Sequence, residues 1–244
     1  MTDMRADAGR SSGRNLTFSM LDALGRAIVT GQYKGRPFPT EADLAKEYGV
    51  SRSVTREAMK MLAAKGLVSA RPRQGTAVRP SAYWNLFDVD VLRWLLERRF
   101  SVDLLLHFTR LRVAIEPEAA ALAARFADEA DRDGIAAGLE RMAAAERGED
   151  DTLDADIAFH VAILHASKNP FYAQFEPVVA TALAKSIRFT NRIIGHSASL
   201  AEHGAVADAI AARDPDGARA AMHMLIGNVL PLIEGAEPDG MGQL

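Results

Sequence analysis

The sequence has no cysteine. Disulfides, thiolate metal sites and cysteine nucleophiles are thereby excluded, and any metal must be held by His and carboxylate side chains. It also lacks an uninterrupted apolar stretch of the ~18–20 residues that span a bilayer, and its opening, with Arg5, Arg10, Ser11, Ser12 and Arg14, has no apolar signal core. A cytoplasmic protein without a membrane partner is the expectation. Beyond Pro80 there is no phosphate-cradling glycine loop, no Gly-x-Ser-x-Gly elbow and no His-Glu-x-x-His pair, so a catalytic reading starts without support. What is present, 244 residues of which 48% are hydrophobic and 25% charged, can bury one large core or two modest ones.

The net charge of −3 hides an asymmetry. Residues 1–80 carry 14 Lys and Arg against 7 Asp and Glu, whereas the remainder carries 15 against 25. A basic unit joined to an acidic one points to a polyanion as the partner of the first.

Within the basic part, Leu16, Met20, Leu24, Ala27 and Ile28 recur at helical spacing and stop at Gly31. After Pro37 and Pro39, Thr40 with Asp43 three residues on reads as a capping box. It opens a short helix through Ala42, Leu44, Ala45 and Tyr48, which Gly49 ends. Ser51 then caps a third helix, Arg52 to Lys65, with Val54, Ala58, Met61 and Leu62 as its expected buried stripe. Alternation at Leu67, Val68 and Ala70, and again at Thr76 and Val78, predicts a hairpin around Arg71-Pro72-Arg73-Gln74-Gly75. Helix, helix, basic helix and basic hairpin, in that order, make a winged helix-turn-helix. The leading end of the third helix (Arg52, Ser53, Thr55, Arg56) then meets bases in the major groove, where the planar arginine fork can bind guanine or clamp a phosphate.

Beyond Pro80 the pattern predicts helices near residues 84–98, 102–126, 129–147, 152–167, 171–193, 198–213 and 215–234. Polar residues that interrupt their apolar stripes are informative, because burying them costs free energy unless a partner satisfies them. Asp156 and His160 are four apart and share a face. His203 sits among Leu200, Val206 and Ile210; Arg112 and Glu116 share a face of another helix; Arg188, Asn191 and Arg192 end a third. Taken alone, these residues leave open intrahelical hydrogen bonds and surface charge on one side and a ligand site on the other.

The run from Pro39 to Val78, PTEADLAKEYGVSRSVTREAMKMLAAKGLVSARPRQGTAV, resembles the DNA-binding domain of GntR-superfamily regulators. Carried over position by position, the resemblance puts Ser51, Arg52, Ser53, Val54 and Arg56 on the recognition-helix contacts and Gln74 and Gly75 at the wing tip, beside Arg73. Many members have Arg where this chain has Ala42, so the operator sequence does not transfer directly. LRVAIEPEAAALAA, DADIAFHVAILHASKNPFY and EHGAVADAIAARDPDGARAAM are similar to the FCD ligand domain of the FadR branch of that superfamily. In many members an Asp and three His hold a divalent cation such as zinc, and the cation and an arginine together bind a carboxylate effector. Asp156, His160 and His203 match the first three ligands. The fourth falls on Leu225, and His223, two residues away, is turned by about 200° to another face. The set therefore admits either a cation or a metal-free site in which His160, His203 and Arg112 bind an acid directly. Effector contacts are expected from Arg112, Glu116, Arg188 and Asn191. The pattern from Trp84 to Trp94 is similar to a subgroup that responds to galactonate or gluconate.

These resemblances imply a mainly α protein: an N-terminal winged helix-turn-helix followed by an antiparallel all-α bundle, FCD-like. The expected division is a disordered tail (1–13), the DNA-binding domain (14–80), a linker helix region (81–101), the helical ligand-binding domain (102–235) and a flexible tail (236–244). The implied function is a homodimeric, non-enzymatic transcription regulator, a repressor of sugar-acid catabolic genes. It would bind double-stranded DNA at a palindromic operator under control of a small carboxylate. Two other readings stay open at this point: a metal-responsive repressor with no organic effector, and a metal-dependent hydrolase carrying a DNA-binding module.

Overall fold

In the computed structural model the chain is described over residues 4–71, 75–98, 102–193 and 199–235, with side chains placed for 15–69, 75–97, 102–184 and 199–235. It folds as two units that part between Arg99 and Phe100. The first holds α1 (Met4–Val29), α2 (Glu41–Glu47), α3 (Arg52–Ala64), the strands β1 (Val68–Arg71) and β2 (Gly75–Val78), and α4 (Val89–Arg98). The expected tail thus contributes to α1, which starts at Met4 in a segment without proline. Residues 236–244 lie outside the described residues.

Local chemistry sets the boundaries of the first unit. The Thr40 hydroxyl accepts the Asp43 N–H while the Asp43 carboxylate accepts the Thr40 N–H, which closes the capping box at the start of α2. Ser51 Oγ accepts the Val54 N–H and starts α3. The buried residues of α3 are Thr55, Ala58, Met59 and Leu62, so Ala58 and Leu62 face inward as expected while Thr55 and Met59 take the places expected of Val54 and Met61. Thr55 can take the inner position because its hydroxyl donates to the Ser51 carbonyl at 3.2 Å and is not orphaned. The strands pair antiparallel, Val68 opposite Val78 and Arg71 opposite Gly75. The hairpin tip, with Arg73 and Gln74, lies outside the described residues.

The segment after the hairpin packs with the first unit, so residues 81–98 are part of it and not a separate linker. Gly66 (φ +79°) makes this possible, since a Cβ there would lie 2.2 Å from the Tyr83 carbonyl oxygen. Helix α4 begins at Val89, later than expected, because Asn85 to Asp88 form a turn and Asp88 Oδ1 accepts the N–H groups of Asp90 and Val91. Lys65 Nζ reaches both oxygens of Asp88 and one of Asp90, each at 2.8 Å. Burial alone would lower the Lys65 ammonium, but these two carboxylates hold it above its ordinary value. Burial would likewise raise Asp90, and Lys65 with Arg93 holds it below the usual carboxylate range. Trp94 is buried against Gly25 and donates its indole N–H to Asp22 Oδ1 at 2.8 Å.

The second unit is helical wherever it is described: α5 (Val102–Phe126), α6 (Glu129–Glu146), α7 (Thr152–Ala166), α8 (Pro170–Ala173), α9 (Glu176–Ile193), α10 (Leu200–Ala211), α11 (Pro215–Gly227) and α12 (Val229–Glu234). Two of the expected helices are split. Pro177 and Pro231 lack the N–H that would continue a preceding helix, so α9 and α12 each restart just before them. Helix α5 packs against α7, α9, α10, α11 and α12, with Ala119, Ala120, Ala123 and Ala124 buried. Gly138 lets α6 close on α7, since a Cβ there would lie 3.0 Å from the Phe159 Cα. No helix among the described residues is long and apolar enough to cross a membrane.

Candidate functional site

Two sites result, one in each unit. On the first, Arg52, Ser53 and Arg56 stand exposed at the leading end of α3, Val54 is half-buried, and Ser51 and Ser53 share a 2.8 Å hydroxyl contact. Arg56 remains 65% exposed, with a loose 3.9 Å approach to Glu41 as its ion pair among the described residues, and can meet a phosphate or base edge. Gly75 is also exposed, at the start of β2. Thr55 requires correction: placed on the reading surface by its position, it is 0% exposed and packs inward.

The second site begins with a helix face. Asp156 and His160, one turn apart on α7, project together, and Phe159 beside them is fully buried with its ring edge against both His160 and His203. His203 comes from α10, whose cap Ser199 also accepts from the His203 ring: Nδ1 lies 2.8 Å from the Ser199 carbonyl oxygen. Helix α5 adds Arg112 and Glu116. Arg112 donates through Nε to Glu116 Oε1 (2.5 Å) and through Nη2 to Oε2 (3.2 Å), while His160 Nδ1 lies 2.6 Å from Oε2. All five side chains are buried, Arg112 the least so at 7% exposed. The structure thus brings together Arg112, Glu116, Asp156, His160 and His203, which the sequence offered as separate pairs.

The charges are mutually stabilised. Burial would raise the Glu116 carboxyl, but Arg112 and then His160 more than reverse this, and it is lowered to about 2. Burial would raise Asp156 as well; the His203 ring, His160 and Arg112 bring it below the usual carboxylate range. Both acids are ionised at neutral pH.

Among the described residues one buried side-chain atom makes no hydrogen bond. His203 Nε2 is buried without a hydrogen bond, although it lies 2.9 Å from Asp156 Oδ1. Nδ1 needs the ring proton for the Ser199 carbonyl, so Nε2 of the neutral ring presents a lone pair to a carboxylate. Such a pair requires a second proton or a cation. His160 Nε2 lies 3.9 Å from the same oxygen, and the ligand atoms of Asp156, His160 and His203 all fall within 4.8 Å of one another. Tetrahedral ligands about 2.1 Å from an ion stand about 3.4 Å apart, so this donor set fits a divalent cation.

Leu225 is buried and His223 exposed, so α11 turns the neighbouring histidine outward. Arg188 and Asn191 fall on the last turns of α9, but their side chains lie outside those described. Sequence reasoning missed Ser199 as the acceptor that orients His203. A Ser cap followed four residues later by a buried His was the available signal.

Comparison with known proteins places these geometries. Residues 19–78 match the family described as bacterial regulatory proteins, gntR family, and residues 107–228 match the FCD domain. The galactonate operon transcriptional repressor of Escherichia coli is 34% identical over 226 residues, covering 90% of this chain and 98% of that protein. The HTH-type transcriptional regulator LutR of Bacillus subtilis is 31% identical over 215 residues, covering 85% and 96%. A solved structure of Lar, described as controlling the Listeria monocytogenes agr system, is similar in fold, with a TM-score of 0.57 at 19% identity over 91% of this chain and 97% of that chain. The matched domains and relatives are those of transcription regulators and not of enzymes, which removes the hydrolase reading. The chain belongs to the GntR family of bacterial transcriptional regulators, in the FadR-type branch that carries an FCD domain.

Proposed function

We propose that this regulator is a homodimeric repressor of sugar-acid catabolic genes whose hold on a palindromic operator is controlled by a small carboxylate. Residues 14–80 serve as its DNA-binding domain and residues 102–235 as its sensor. The carrying observation is the buried cluster of Arg112, Asp156, His160 and His203, in which His203 Nε2 faces Asp156 Oδ1 at 2.9 Å without a hydrogen bond. A second ring proton or a cation completes this pair, and with Asp156, His160 and His203 convergent the cation is the reading favoured here. The galactonate operon repressor among its relatives makes a hydroxylated acid the favoured class. A divalent cation bound by Asp156, His160 and His203 would supply concentrated positive charge for carboxylate and hydroxyl oxygens. Arg112 would anchor the acid, with Arg188 and Asn191 as further contacts. On the DNA side, Ser51, Arg52, Ser53, Val54 and Arg56 would read the major groove, and Arg73, Gln74 and Gly75 the groove edge.

Two measurements test this. In shift assays with its own promoter DNA, Arg52→Ala and Arg56→Ala should each weaken binding by about 1–3 kcal/mol if they read bases, or lower the salt slope by about 0.9 if they hold a phosphate. Thr55→Val should do neither. Unchanged binding in the double arginine variant would refute the reading face. Thermal shifts with galactonate and gluconate, with and without chelator, test the sensor. The orphaned His203 Nε2 also favours a purely metal-responsive repressor. Stabilisation by an acid after complete metal removal would exclude that alternative.

A further inference from the structure

Glu116 was expected among the effector contacts, yet it is 1% exposed and both of its oxygens are already engaged. Oε1 accepts from Arg112 Nε, and Oε2 faces both Arg112 Nη2 and His160 Nδ1. A ring nitrogen 2.6 Å from a carboxylate oxygen must carry a proton, or two lone pairs would meet. A neutral imidazole has one ring proton, so its placement on Nδ1 leaves His160 Nε2 as a free lone pair on the side of Asp156. Arg112 Nη2 does not fill that lone pair. It lies 3.3 Å from Nδ1 and 3.2 Å from Nε2, and a point almost equidistant from both nitrogens does not lie along the in-plane lone-pair direction of either.

We propose that Glu116 is a positioning residue: a single buried carboxylate holds the Arg112 guanidinium and fixes the His160 tautomer, so that Nε2 is available to a cation beside Asp156 and His203. This rests on the reading of Asp156, His160 and His203 as a cation site. It also couples the cation ligand to the anion-binding arginine, because both are oriented by the same group. Glu116 does not touch the effector.

Glu116→Gln inverts the arrangement. The guanidinium accepts nothing, so the amide oxygen takes the Oε1 place and keeps the short bond from Arg112 Nε, while the amide NH₂ takes the Oε2 place, where the longer Arg112 Nη2 contact is given up and the NH₂ faces His160 Nδ1. Nδ1 then becomes an acceptor, and the ring proton moves to Nε2, where it blocks coordination.

The test uses full-length, chelator-treated protein with ¹⁵N-labelled histidine, at alkaline pH where the ring carries one proton. Long-range ¹H–¹⁵N spectra read the tautomer, with His160→Gln assigning the signal. The expected result is a proton on Nδ1 in the wild-type protein and on Nε2 in Glu116→Gln. Titration with Co²⁺ or Zn²⁺ should then show affinity about 10- to 100-fold weaker in the variant. A wild-type ring protonated at Nε2 or at both nitrogens overturns the proposal, as does an unchanged tautomer in Glu116→Gln. If the variant does not fold, the wild-type spectrum decides alone. A wild-type protein that binds neither metal but shows the expected tautomers upholds Glu116 and defeats only the cation reading.

Discussion

Replacing Gly25 by alanine should destabilise the first unit, although propensity alone predicts the reverse. In the interior of α1, alanine is intrinsically favoured over glycine by about 1 kcal/mol. The new Cβ, however, would lie 2.4 to 2.6 Å from three atoms of the Trp94 ring, roughly 1 Å inside van der Waals contact. The ring cannot step aside freely, because Trp94 is 1% exposed and its indole N–H is tied to Asp22. Overpacking of this kind costs about 1–3 kcal/mol, and loss of the hydrogen bond to a charged acceptor adds about 1.5–3 kcal/mol. After the intrinsic gain is subtracted, a net loss of about 1.5–5 kcal/mol remains. At about 4–8 °C per kcal/mol for a unit of this size, the melting transition of the N-terminal unit should fall by at least about 6 °C. Gly134→Ala is the control: exposed in α6 with nothing within 4 Å of its Cβ, it should gain about 0.5–1 kcal/mol. Calorimetry on the two variants, with tryptophan fluorescence as a local probe, decides the matter. A Gly25→Ala protein that melts at or above the wild-type temperature would refute the account of the α1 to α4 contact.

The same region should carry a two-sided pH dependence. Asp22 and Asp90 are held below their ordinary value, so their contribution is complete above about pH 4 and is lost as pH falls through the lowered folded-state values; Lys65 is raised, so its contribution persists below about pH 10.5 and is lost as pH rises beyond it. Denaturant midpoints against pH should show a plateau between these limbs, with Asp90→Asn flattening the acid limb and Lys65→Met the alkaline one. In the second unit, Leu225→His tests the fourth-ligand position: it should lower stability in chelator by about 2–4 kcal/mol for the lost apolar burial and raise Zn²⁺ affinity at least tenfold. Equal zinc affinity in both proteins would show that position 225 does not reach the cluster.

What the sequence made legible was chemistry that closes within a few residues. Thr40 with Asp43, Ser51 before Val54 and the Asp-Pro at the start of α11 each satisfy helix-end donors locally, so those boundaries were readable. The inward place of Thr55 was not, because its hydroxyl is satisfied by a backbone acceptor and the face it joins is set by the long-range packing of α3 on α1. The Trp84 to Trp94 pattern shows the difference most clearly. Its resemblance pointed to an effector class, whereas its residues have structural roles: Asp88 caps α4, Asp88 and Asp90 enclose Lys65, and the two indole groups donate to Arg79 and Asp22. In the sensor, the residue types and the α7 spacing were visible. The convergence of α5, α7 and α10 was not, since it depends on long-range packing such as the close approach at Gly138.

The anchoring of α4 limits how a signal can pass through it. To free this helix, the Lys65 contacts to two aspartates and the Trp94 bond to Asp22 would break, each worth about 1.5–3 kcal/mol. Exposing the indole would add about 4–6 kcal/mol. Allosteric couplings between ligand sites amount to about 1–3 kcal/mol, well short of that sum. A ligand coupling of that size would therefore not unlatch α4 from the first unit. Within the first unit α4 is thus a fixed part of the body that carries the recognition helix, held on the α1 side by Asp22 and on the α3 side by Lys65.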